Sequence, residues 1–60
     1  MTDAEEQGAE FFESEPELLV AAVWHVAAKR YPELDNQREF VNGYITARRH
    51  RDEYQQEHRE

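Results

Sequence analysis

Cysteine is absent from this 60-residue chain, so neither a disulfide nor a thiolate metal site can stabilise it. Proline and glycine are scarce, two of each, which leaves little material for long turns or flexible linkers. No apolar run approaches the ~18 residues that a membrane span requires. No basic segment followed by an apolar core marks a secretory leader, and the expected compartment is the cytoplasm. Strand signals are missing as well, because β-branched residues nowhere alternate over four or more positions. Neither a glycine-rich phosphate loop nor an H-E-x-x-H pair occurs. With no cysteine nucleophile and little room for a water-excluding pocket, the chain is not expected to be an enzyme, and no cofactor is expected.

A chain this short buries only about 60% of its unfolded surface and is marginal by itself. Small scaffolds compensate with unusually good packing or with a partner. The charge distribution points to a partner. The formal net charge is −7. Residues 1–17 hold Asp3, Glu5, Glu6, Glu10, Glu13, Glu15 and Glu17 and no base, whereas residues 18–60 balance seven acids with seven Lys and Arg. An acidic head on a neutral body repels nucleic acid and attracts basic surfaces.

The pattern predicts an all-α fold, an antiparallel helical hairpin with helices over about 15–30 and 36–57. Ser14-Glu15-Pro16-Glu17 fits a capping box, with Ser14 as N-cap and Glu17 reaching back to it. Pro16 is tolerated in a first turn. Lys29 and Arg30 suit the negative end of the helix dipole. Pro32 stops the helix and biases Tyr31 toward extended backbone. Asp35 or Asn36 caps the second helix, whose Phe40, Val41, Tyr44, Ile45 and Ala47 form one face; Tyr54 is the only large apolar residue beyond. Gly43 costs this helix about 1 kcal/mol relative to alanine, and reads either as a site of close approach by the first helix or as simple tolerance.

Two readings stay open for the acidic segment 1–13, which precedes the hairpin domain 14–60. It is either unstructured, or a short helix opened by a Thr2-Asp3-Ala4-Glu5 box, with Ala4, Gly8, Phe11 and Phe12 on one face. The second completes a three-helix mini-bundle. The choice matters because residues 18–28, Leu18 to Ala28, are apolar nearly all the way round. Such a helix is a buried helix, and the single stripe of one partner helix cannot cover it. Either the N-terminal segment folds back over it with Phe11 and Phe12, or a second chain closes a dimeric four-helix bundle.

Phe11 and Phe12 thus carry competing roles. Burying both is worth roughly 3–6 kcal/mol in transfer terms, a large share of the stability of a small domain, so the pair is expected first to help close its own fold. As a partner-binding set, Glu5, Glu6, Glu10, Phe11, Phe12 and Glu13 would supply charge steering and aromatic anchors, with Trp24 as a further anchor. Glu10-Phe11-Phe12 resembles the opening of the FFAT motif, in which two phenylalanines in an acidic tract dock on a basic domain at endoplasmic-reticulum contacts. Glu13 stands where that motif has aspartate, Ser14 where it has alanine, and Pro16 where it has an acid. A general acidic-aromatic segment that competes for a basic protein site fits these residues better.

His25, inside the apolar run, is expected as a partly buried ring with one hydrogen bond. His50, Glu53 and Glu57 share a helical face at metal-compatible spacing, but read as a solvated charged face, and no metal is expected. Arg48, Arg49 and Arg51 form a basic cluster that could bind phosphates. If a dimer presented it twice, the layout would be similar to Rop-like RNA-binding hairpin dimers, an analogy of length and fold without a shared motif. The function expected first is a non-enzymatic protein-interaction module, a regulator, inhibitor or accessory subunit of the kind phages encode, bound to a basic surface of a partner. A nucleic-acid-binding hairpin dimer using Arg48, Arg49 and Arg51 is the alternative, and a purely structural oligomerisation unit is the third.

Overall fold

A computed structural model describes the backbone of residues 3–57 and the side chains of residues 3–53. It contains three helices, α1 (Asp3–Ser14), α2 (Val20–Arg30) and α3 (Leu34–Glu57). Both α1 and α2 pack on α3, and α1 does so more extensively. The all-α expectation holds in its three-helix form, a compact mini-bundle. The N-terminal acidic segment supplies a full helix. The Thr2 cap, the Tyr54 side chain and the Glu57 side chain lie outside the described residues.

α1 is amphipathic despite its charge. Ala4, Gly8 and Phe12, four residues apart, are buried, which is the spacing of one helical stripe. This stripe meets Phe40, Val41 and Tyr44 of α3, all buried. The crossing is so close that the two glycines are structurally required. A Cβ at Gly8 would overlap the Phe40 carbonyl, and a Cβ at Gly43 would overlap the Glu5 carbonyl. Gly43 therefore serves close approach, but the approaching helix is α1 and not the helix at 20–30.

Five aromatic rings fill the space around this crossing. The Phe11 centroid lies 5.5 Å from Phe40 and 5.9 Å from Tyr44. Phe12 meets Tyr44 edge-on at 5.3 Å, and Tyr31 lies 5.9 Å from Phe40. Offset and edge-to-face pairs at these distances contribute beyond their buried area. The Arg30 guanidinium covers the cluster, 5.5 Å from the Phe11 centroid and 5.3 Å from that of Phe40. Arg30 thus adds a cation–π contact to its favourable place at the helix end.

The boundaries correct two expectations. Ser14 ends α1 instead of capping a helix at 15, and α2 begins five residues later with Leu19 as an N-cap that makes no side-chain cap bond. The reason is tertiary. The Glu15 amide donates to the Phe11 carbonyl at 2.9 Å, extending α1's ladder. The Tyr44 hydroxyl donates to the Glu15 carbonyl at 2.6 Å and accepts from the Leu18 amide at 3.1 Å. A buried phenol in α3 thereby pairs a carbonyl and an amide of the turn that would otherwise lack partners.

At the other connection, α2 ends at Arg30 with Tyr31 extended at φ −125°, ψ 128°, as a residue before proline should be. Gln37 Nε2 donates to the Tyr31 carbonyl at 2.9 Å and braces the bend. α3 begins at Leu34, ahead of the expected Asp35 or Asn36 cap, because the Gln37 amide already bonds the Glu33 carbonyl at 3.1 Å. α2 and α3 run antiparallel: Tyr31 meets Phe40 at one end of the pair, and Leu18 reaches Tyr44 at the other.

Candidate protein-interaction site

The stripe that α1 buries determines the face it shows. With Ala4, Gly8 and Phe12 turned inward, the opposite face carries Asp3, Glu6, Glu10 and Glu13, all exposed, at spacings of three, four and three. No base interrupts this ladder. Asp3 and Glu6 complement the positive helix end. Glu10 and Glu13 do not; α1's own last turn carries no cation, although Glu10 shares an open cleft with Arg30 of α2. Like charges three and four residues apart destabilise a helix by about 0.2–0.5 kcal/mol per pair. The C-terminal half of the ladder thus works against the helix that bears it.

The other members of the expected partner-binding set lie elsewhere. Glu5 is half-buried beside the glycine crossing. Phe12 is 6% exposed, and Phe11 is half-buried in the aromatic cluster. Both phenylalanines face the molecule's own core. Asp3 was absent from the expected set, although the spacing of the ladder includes it once α1 is a helix.

A second surface comes from α2. The expectation that residues 18–28 form a helix buried on all sides is not met within one chain. Only Val23 and Ala27 of α2 are buried. Leu19 is 78% exposed, Val20 40% and Trp24 36%, and Ala21, His25 and Ala28 are exposed beside them. The segment did fold back, but onto α3, so this side of α2 stays open. His25 accordingly stands in solvent and not in a partly buried site.

The arginines are split. Arg48 and Arg51 line an open cleft of about 390 Å³ with Phe12, Pro16, Glu17 and Asp52, and Arg49 is not part of it. The Arg51 guanidinium lies 5.9 Å from the Phe12 centroid. Two carboxylates share this cleft with the two guanidinium groups, which offsets its positive potential. His50 and Glu53 are exposed on α3. Among the described residues no three His, Asp or Glu side chains are grouped to hold a metal ion, and no helix is long and apolar enough to cross a membrane.

The chain matches no protein-family model, no curated protein and no solved structure.

Proposed function

Starting from the exposed carboxylate ladder of α1, we propose that this chain is a small non-enzymatic interaction module of the cytoplasm that docks on a basic surface of a partner protein. The observation that supports it is the row Asp3, Glu6, Glu10 and Glu13, presented on one exposed helix face without a base. The helix dipole accounts for Asp3 and Glu6 but not for Glu10 and Glu13, and the like-charge spacing opposes helix stability, whereas a basic partner would use the whole row. Such a surface raises association rate and sets orientation more than it adds affinity. A regulator, inhibitor or accessory subunit would use it in this way. The phenylalanines belong to the frame that holds the ladder straight. The nucleic-acid reading has less support, because Glu17 and Asp52 stand in the same cleft as Arg48 and Arg51.

Two variants of equal net charge test this reading. One neutralises Asp3, Glu6, Glu10 and Glu13 as their amides; the other does the same to the exposed Glu15, Glu17, Glu33 and Asp35. Both are titrated against an arginine-rich helical peptide at low and high salt. Loss of salt-sensitive binding in the first variant alone supports the ladder as the docking surface. An equal loss in both, or in neither, refutes it.

A further inference from the structure

We infer that the open face of α2 is covered by a second copy of this chain, with the two α2 helices packed antiparallel about a twofold axis near His25. This goes beyond the acidic-ladder reading and uses none of its four carboxylates.

The face itself is apolar. Val20, Ala21, Trp24 and Ala28 surround His25, with Leu19 at the entry, and no Asp, Glu, Lys or Arg occurs from Leu18 to Ala28. In a 60-residue protein this is a large part of the apolar surface left in water, of the kind that marks an interface. The chain's own N-terminal helix is already committed to α3 through the glycine crossing, so no described part of the same molecule is available to cover it.

Charge selects the occupant and its direction. The approach to α2 is acidic, with Glu15 and Glu17 exposed, and its far end is basic, with Lys29 exposed. An antiparallel copy sets Lys29 of each chain toward the Glu15–Glu17 turn of the other, twice by symmetry. It also opposes the two helix dipoles. A parallel copy would set like ends together. An isologous pairing of this kind closes on itself and does not propagate. His25 is the midpoint of α2, so the axis passes beside it and the two rings face one another. The contact is one helix face per chain, at the small end of protein interfaces; the dimer should therefore dissociate on dilution.

Sedimentation equilibrium of the intact chain over a wide concentration range, with helicity followed by circular dichroism, tests the inference. The expected result is a reversible monomer–dimer equilibrium. His25→Glu should weaken it about tenfold or more, because two carboxylates then meet at the axis. His25→Leu should tighten it. Both replacements are better helix formers than histidine at an exposed position, so the fold is kept. Lys29→Glu should dimerise poorly, as should Glu15→Lys/Glu17→Lys, and mixing the two chains should restore a mixed dimer. A monomer at all concentrations overturns the inference, as does a dimer indifferent to both His25 variants. A dimer that answers to His25 but is not restored by mixing overturns the antiparallel arrangement.

Discussion

α1 and α2 are 12 and 11 residues long and rest on the same third helix, yet they are held in opposite ways. α1 is crowded with glutamate and has a glycine in its middle. It nevertheless approaches the α3 backbone too closely for a Cβ at Gly8 or Gly43 and sends Ala4 and Phe12 into the core. α2 is the most apolar stretch of the chain, but buries only Val23 and Ala27. Hydrophobic content tells how much surface a helix would gain from covering. Which helix is covered is decided by shape, here by two glycines that let backbones touch and by rings that fill the gap beside them.

The largest effect expected from breaking this asymmetry is at Phe12. Phe12→Ala empties an edge-on pair with Tyr44 and should cost about 3–5 kcal/mol, enough to unfold most of a domain of ordinary marginal stability. Loss of the cooperative urea transition would register it. Gly8→Ala comes next and has a sign worth testing. Helix propensity alone predicts a gain of about 1 kcal/mol. The new methyl would overlap the Phe40 carbonyl, so the crossing must open, at a net loss of stability of about 2–3 kcal/mol, seen as a lower urea midpoint. Tyr44→Phe keeps the rings but leaves the Glu15 carbonyl and the Leu18 amide without the hydroxyl. It should cost about 1–2 kcal/mol, with faster amide exchange at Leu18. Trp24→Ala should be milder than Phe12→Ala at concentrations where the chain is monomeric. A ring 36% exposed should lose less than the 3–5 kcal/mol of a fully buried one.

Much of this frame is legible from residue order. The absence of alternation, the stop at Pro32 and the stripe of Phe40, Val41 and Tyr44 give the fold class and the second connection. The Ser14 box misleads because α1's ladder runs through Ser14 to the Glu15 amide, and the turn that follows is held from a distance, by the hydroxyl of Tyr44 donating to the Glu15 carbonyl 29 residues away. Gly8 falls on the inward face in either view, and its use is visible only beside the α3 backbone it touches. Of the candidate site, the acidity of residues 1–17 is plain in the sequence. The ladder of Asp3, Glu6, Glu10 and Glu13 emerges only once α1 is known to be helical throughout. That α2 stays open could not be read from its composition, since the same residues would suit a buried helix.

Trp24 is the only tryptophan in the chain and lies on the open face of α2, so its fluorescence bears on the central contrast directly. Acrylamide quenching should be followed across a dilution series of the unmodified protein. The account predicts a readily quenched indole at high dilution, where the face is bare. It predicts progressive shielding as concentration rises and a second copy covers that face. An indole equally well shielded at every dilution would contradict it, because α2 would then be covered within a single chain.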